Sequence, residues 1–340
     1  MAEFDDARLE NPLALGRADD VLRRLASAGA RVRREAEGAE SGRAALRDLP
    51  RPRAVIAAGG EARLIRALLE PTCPVPFLAW PRPGLPGWVG ALDLVVVSAS
   101  DGGSPDLIAT VREAVRRGAT LMIACPVPSA IAEFAGGRSS IVLPTVTGDP
   151  LAAVVIALAG LHDAGLGPST SPEQVADAMD RVAEDCSPHE SIATNPAKDI
   201  ALGLADAQPL IWGGSVLAAR ASRRIAEAIR AATGRAALAA DAGELAPVIE
   251  AAGRRDPFAD PFTDDAPADR RPALIELDDG SADEHVRLDR NRLTGAAARH
   301  DVRVCLISAQ HGSDLERYAT VLQTGLFTAC YLAVGLDRLQ

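Results

Sequence analysis

The sequence predicts an α/β protein of two tandem lobes, each a parallel, doubly wound sheet flanked by helices. Three observations carry this. Short apolar, β-branched runs alternate with helical stretches along nearly the whole chain, as expected for strands covered on both faces. Apolar residues make up 48% of the 340 while aromatics make up 3%, so the core is filled by Ala, Val, Leu and Ile. A strand, a Gly/Ser turn and a helix recur in each half, at 94–117 and at 209–232, a weak internal repeat.

Residues 5–48 read as a helical lead-in packing on a sheet edge, with leucines at 9, 13, 15, 22 and 25 before an Arg/Glu-rich segment. Arg53–Gly60 is the first strand, and Glu61–Leu69 begins the next helix. Val75–Trp80 is a strand, followed by the proline-rich loop PRPGLPGW. Leu94–Val97 is a strand running into a loop of hydroxyls and glycines, Ser98, Ser100, Gly102, Gly103 and Ser104. Ser104-Pro105-Asp106 then opens a helix with a capping hydroxyl, a proline at the first helical position and an acid in the first turn. Free amide donors at such a junction suit an anion; an ordinary βα turn with a serine cap is the alternative. Thr120–Cys125, Ser140–Pro144 and a short helix at Ser129–Phe134 continue the alternation, and residues 149–163 form an apolar helix.

A linker, a helix at 172–185 and the segment NPAKDIA at 195–201 lead to the second lobe. There Pro209–Trp212 is a strand, Gly213-Gly214-Ser215 the turn and Val216–Ala232 a long helix. Strands at Ala236–Ala240, Ala273–Leu277 and Val302–Ser308, with helices near 283–299 and 312–335, complete it. Segment 252–272, rich in acids and prolines, reads as an exposed, mobile loop. The expected domains are 1–165, linker helices at 166–205, and 206–340.

With 46 acidic and 36 basic residues the net charge is −10, which argues against a nucleic-acid or anionic-membrane partner. Five dispersed cysteines without metal-ligand spacing read as reduced core residues. The acidic N-terminus and the lack of a long apolar run predict a cytoplasmic protein. The glycines at 59 and 60 follow a strand, but no GxGxxG or GK[ST] accompanies them, so no nucleotide is implied.

The order of these pieces resembles the bifunctional phosphoglucose/phosphomannose isomerases, a family of two tandem sugar-isomerase (SIS) domains. The matching stretches are AAGGE at 57–61, LPGWVGALDLVVVSASDGGS at 85–104, RRGATLMIAC at 116–125, NPAKDIA at 195–201, QPLIWGGS at 208–215, AARASRRIAEAIR at 218–230 and SDLERYATVLQTGLFTACYLAVGLD at 313–337. The resemblance implies a homodimer with a sugar-phosphate cleft between the lobes and no metal or other cofactor. Its phosphate loop falls on Ser98, Ser100, Gly102, Gly103 and Ser104, with Asp101 inserted, and its first-lobe turn on Gly59 and Gly60, where Glu61 replaces a serine. Gly214 and Ser215 form the equivalent second-lobe turn.

The family moves a proton between C1 and C2 through an enediol, which needs a carboxylate base. The resemblance places that base at Glu227, seven residues after Arg220, a substrate contact. Seven residues are about two helical turns, so both project from one face. The family's ring-opening histidine is missing, because GELAPVI stands at 243–249; its arginine after residue 149 and its C-terminal lysine are missing too. His311, expected to open the last helix, is the candidate replacement. Two readings follow: an aldose–ketose isomerase acting on fructose 6-phosphate and glucose or mannose 6-phosphate, or a catalytically degenerate protein that binds a sugar phosphate as a sensor or partner. A structural protein without ligand is the third.

Overall fold

The structure is a computed structural model that describes residues 3–137, 139–252 and 271–338. The 252–272 segment lies outside the described residues except at its ends. Two compact units form: residues 28–177, and residues 1–27 together with 178–340.

The chain opens with a 3-10 turn (Asp6–Leu9), α1 (Pro12–Arg17) and α2 (Asp19–Ala26). These elements pack with the C-terminal half, so the lead-in is divided between the units. The reason is long-range pairing that sequence cannot show: the Asp5 N–H donates to Gly335 O at 2.9 Å, and Arg8 and Arg17 both pair with Asp337.

The 28–177 unit contains α3 (Ala28–Gly38), α4 (Glu40–Leu46), β1 (Val55–Ala58), α5 (Ala62–Leu69), β2 (Phe77–Trp80), β3 (Leu94–Ser98), α6 (Pro105–Arg116), β4 (Thr120–Pro126), α7 (Ala130–Phe134), β5 (Ser140–Thr145) and α8 (Pro150–Asp163). Helix α9 (Pro172–Asp185) straddles the boundary between units. All strand pairs are parallel, in the order β2-β1-β3-β4-β5. β1 and β3 are buried along their whole length, as their unbroken apolar runs require. Alternate residues face opposite ways: Ile56, Val95, Val97, Leu121 and Ile123 pack with α6 and α7 residues such as Val111 and Ile131, while α8, buried along almost its whole length, covers the other side. At the amino edge, fully buried Asp93 takes two hydrogen bonds from Arg53 (2.9 and 2.6 Å) and one from the Gly90 N–H. The ends of the unit are tied by Arg33, which pairs with Glu173 and Asp177.

The other unit continues with α10 (Pro196–Gly203), β6 (Gln208–Gly213), α11 (Val216–Thr233), β7 (Leu238–Ala239), α12 (Ala242–Glu250), β8 (Pro272–Asp278), α13 (Glu284–Arg299), β9 (Arg303–Ser308) and α14 (Asp314–Gly335). Its parallel sheet runs β7-β6-β8-β9. Leu210, Trp212 and Leu274 pack under α12 and α13. Lys198, the single lysine, is fully buried, donates to Pro188 O (2.9 Å) and Glu190 O (2.6 Å), and lies over the Tyr331 ring. Where the chain leaves this unit and where it returns, one side chain holds both strands of backbone: Gln323 Nε2 donates to Leu25 O at 3.0 Å and to Met179 O at 3.2 Å. No helix among the described residues is long and apolar enough to cross a membrane.

Candidate functional site

In an open parallel sheet, ligands bind beyond the carboxyl ends of the strands where the strand order reverses. The 28–177 unit reverses between β1 and β3, which places the turn after β1 (Gly59, Gly60) beside the loop after β3 (Ser98 to Ser104). The sequence-predicted residues of this unit are thus brought to one crevice.

Its backbone is shaped by glycine. Gly59, Gly102 and Gly103 have φ of 90°, 88° and 80°, values that residues with a Cβ rarely adopt. A Cβ on Gly103 would also meet Ile131 Cδ1 at 2.8 Å. Ser104 caps α6, its hydroxyl accepting from the Leu107 N–H at 3.3 Å. Ser98 and Ser100 are each only 8% exposed, and the Ser98 hydroxyl has no hydrogen-bond partner among the described residues. A buried hydroxyl left unpaired costs roughly 1–3 kcal/mol, so Ser98 is the residue of the loop whose chemistry is unfinished. Asp101 is exposed and folds back on its own loop, accepting from the Gly103 N–H at 3.0 Å. It therefore occupies one backbone donor of the loop.

A third loop borders this one. Between β5 and α8, a Cβ on Gly148 would lie 4.0 Å from Ser100 O. Residues on both sides of Gly148 are held by α3. Glu35, fully buried, accepts from the Val146 N–H (2.9 and 3.1 Å), the Thr147 N–H (2.7 Å) and the Thr147 hydroxyl (2.5 Å). Arg31 pairs with Asp149 Oδ2 at 2.8 Å, while Asp149 Oδ1 caps α8 through the Leu151 and Ala152 N–H groups. Sequence reading passed over Glu35 because an acid in an Arg/Glu-rich helix looks like a solvated face.

The other unit reverses between β6 and β8, and there the arrangement differs. Gly213 and Gly214 are required by packing, since a Cβ would fall 2.3 Å from Ala218 C and 2.6 Å from Val286 Cγ1 respectively. Ser215 caps α11 by accepting from the Ala218 N–H at 3.0 Å, and its one proton goes to the Asp279 carboxylate. Behind this lies an ionic cluster that sequence reading missed. Glu276 and Asp278, on one face of β8, both pair with Arg290 of α13 at 2.5 and 2.7 Å; Asp278 also accepts from Gln310 and the Gly280 N–H. Burial pushes the Glu276 carboxyl above its ordinary range, against the pull of Arg290. Burial also opposes charge on Asp278, but Arg290, Gly280 and Gln310 outweigh it and hold that carboxyl low. The alternating acids of ALIELDDG were the available signal.

Glu227 is exposed on α11 and Arg220 half-buried one face-repeat earlier. Twelve residues beyond Ser215, Glu227 stands about 18 Å along the helix axis from the carboxyl edge of its own sheet. His311 does not open α14: Ser313 does, as part of a capping box with Glu316, and His311 is exposed in the preceding loop. Residues 242–250 form helix α12, whose sequence AGELAPVIE holds no histidine. Among the described residues no group of His, Cys, Asp and Glu side chains is arranged to hold a metal ion.

Comparison with known proteins gives a consistent picture. Residues 193–338 match the model of the bacterial phospho-glucose isomerase C-terminal SIS domain. Among solved structures, the chain is similar to tagatose-6-phosphate ketose/aldose isomerase from Escherichia coli, with 14% identity, a TM-score of 0.64 and coverage of 89% of this chain and 90% of that one. A hypothetical protein from Thermus thermophilus aligns over 100% of this chain and 96% of its own, at 14% identity and a TM-score of 0.63. A glucose-6-phosphate isomerase like protein from the same organism aligns at 16% identity and a TM-score of 0.52, covering 89% and 91%. No curated protein matches the chain in sequence.

Proposed function

For a chain that belongs through its C-terminal SIS domain to the phosphoglucose isomerase family, we propose a sugar-phosphate isomerase-like function in which the Ser98–Ser104 loop cradles the phosphate. The observation that carries this is the Ser98 hydroxyl, buried at the carboxyl end of β3 without a partner among the described residues, beside glycines that turn the loop and a helix N-terminus that favours negative charge. Ser100, Gly102, Gly103 and Ser104 complete the cradle, and Gly59 and Gly60 form its other wall.

The substrates are hexose 6-phosphates: fructose 6-phosphate interconverts with glucose or mannose 6-phosphate. In this reading Glu227, with Arg220 contacting substrate, takes the proton from one carbon of the C1–C2 pair and returns it to the other, so the enediol forms and collapses with no net proton loss. Exposure of Glu227 leaves its carboxylate accessible, and His311 is the candidate for ring opening. Assembly as a homodimer and a cytoplasmic location belong to the same proposal.

A second reading is favoured by a specific observation: position 243–249 is helix without histidine, and Ser215 is engaged by Asp279. Here the protein binds the sugar phosphate without turning it over, as a sensor or partner. A coupled assay with fructose 6-phosphate, reading glucose and mannose 6-phosphate separately and run beside Glu227→Gln, separates the two. Turnover abolished by the substitution supports the isomerase. Equal silence of both proteins, with sugar phosphate still raising the melting temperature, leaves only the binding function; at 100 times its dissociation constant a ligand stabilises by about 2.7 kcal/mol. No thermal response to any hexose phosphate overturns the cradle itself.

A further inference from the structure

We propose that Glu35 and Arg31 of α3 are positioning residues for the anion loop, acting through the β5–α8 loop. The inference rests on the reading of Ser98–Ser104 as the phosphate cradle and goes beyond it by naming what keeps that cradle in shape.

Four consecutive residues carry the argument. Val146 and Thr147 give two N–H groups and a hydroxyl to Glu35, and Asp149 takes the guanidinium of Arg31. Gly148, between them, is the residue on which an added Cβ would come to 4.0 Å from the Ser100 carbonyl oxygen. Glu35 and Arg31 are one helical turn apart, so a single face of α3 grips both sides of the point of contact. A carboxylate with no exposure at all is costly to bury unless each oxygen is hydrogen-bonded, and here both oxygens are bonded to this loop. The β4–α7 junction, by contrast, is held from within by Ser129. The loop beside the cradle is thus fixed from more than a hundred residues away in sequence, the separation from Glu35 to Val146 being 111 positions.

The mechanical consequence is specific. Ser98 ends β3, in register with Ala124 of β4, while Ser100 stands two residues on in the loop, where displacement of Gly148 would free its carbonyl to move. Loosening α3's grip should therefore weaken anion binding without touching any residue of the cradle.

The test compares wild type, Glu35→Gln, Thr147→Val and Ser100→Ala on the full chain. Fructose 6-phosphate and inorganic phosphate are titrated by calorimetry at a temperature where circular dichroism shows each protein folded, and hydrogen exchange is followed in the peptides covering 98–104 and 145–150. The expected result is at least a tenfold weaker dissociation constant in Glu35→Gln, a smaller loss in Thr147→Val, and faster exchange in both peptides. Should Glu35→Gln fail to fold, Thr147→Val carries the test, since it removes one contact to Glu35 and keeps the carboxylate. Variants that melt earlier yet bind with unchanged affinity would overturn the proposal, because a merely structural pair lowers stability alone. Failure of wild type to bind either ligand would instead overturn the cradle reading, and a loss in Ser100→Ala without a loss in Glu35→Gln or Thr147→Val would sink only the positioning role.

Discussion

Replacing Arg290 by methionine should destabilise the unit containing residues 178–340 by about 3–5 kcal/mol at neutral pH, the usual cost of stranding a buried charge. The structure says where that cost arises. The carboxylates of Glu276 and Asp278 are only 8% and 10% exposed, and Arg290 pairs with both. Two residues apart on one strand face, they sit roughly 6.6 Å from each other, and like charges at that distance repel by about 2.5 kcal/mol at an effective dielectric constant near 20. That repulsion acts in both proteins; what the substitution removes is the pair of Arg290 attractions that offset it.

The pH dependence gives the prediction its sign. Burial raises Glu276 in the wild type; a carboxyl raised on folding stabilises below its unfolded value and loses that contribution as pH climbs through the folded one. Asp278 is held low despite its burial, so its contribution is present above the unfolded value and disappears as pH falls. Without Arg290 the rise at Glu276 grows and Asp278 loses its main support. The deficit of Arg290→Met should therefore be largest near neutral pH and shrink as the solution is taken down toward about pH 5. Urea unfolding of both proteins at several pH values measures it, with Arg290→Met/Glu276→Gln expected to recover part of the loss at neutral pH. A deficit below about 0.5 kcal/mol, or one independent of pH, would refute the reasoning, since surface pairs behave that way.

Three further outcomes are expected. Ser98→Ala should leave stability unchanged or slightly higher, because the hydroxyl it removes has no partner among the described residues, while weakening sugar-phosphate binding about tenfold or more, worth roughly 1.4 kcal/mol; parallel loss of stability and affinity would show that the hydroxyl is bonded within the protein. Gly103→Ala forces a Cβ into a φ of 80° and toward Ile131, so a loss of about 1–3 kcal/mol is expected in thermal unfolding, and a neutral result would contradict the loop geometry. Burial raises the thiols of Cys125 to about 11 and of Cys186 and Cys330 to about 12, and Cys305 is raised as well. A thiol reagent at mildly alkaline pH should therefore label Cys73 alone in the native protein, and stability should fall above pH 9 by up to about 1.4 kcal/mol per unit for each buried thiol. Rapid native labelling at a second cysteine would count against the core described here.

Much of the fold was legible because strands buried on both faces leave unbroken apolar runs, as in LVVV at 94–97, and because Ser104-Pro105-Asp106 marks a helix start by chemistry that acts locally. The crevice in the 28–177 unit was legible for the same reason: glycines and serines following a strand are a local signal. His311 was misplaced although the S-x-x-E of Ser313 and Glu316 was present to be read. What stayed hidden depends on distant partners. Nothing near Asp5, Arg8 or Arg17 announces Gly335 and Asp337, and nothing near Glu276 announces Arg290. Glu35 reads as one acid among many until Val146 and Thr147 are beside it.

The amide of Gln323 has a consequence for how the molecule is made. Because Leu25 and Met179 meet at one nitrogen, residues 28–177 are an insertion: a continuous domain spliced into a discontinuous one. On the ribosome every strand of the inserted domain's sheet is synthesised before residue 178, whereas α1 and α2, translated ahead of that domain, must wait for α14, translated after it. The host domain is therefore the late and vulnerable folder. Its two segments also carry their own splice site: joining residue 27 to residue 178 through a few small residues should yield an independent four-stranded protein, and residues 28–177, with Arg33 clasping Glu173 and Asp177 across their ends, should fold without it.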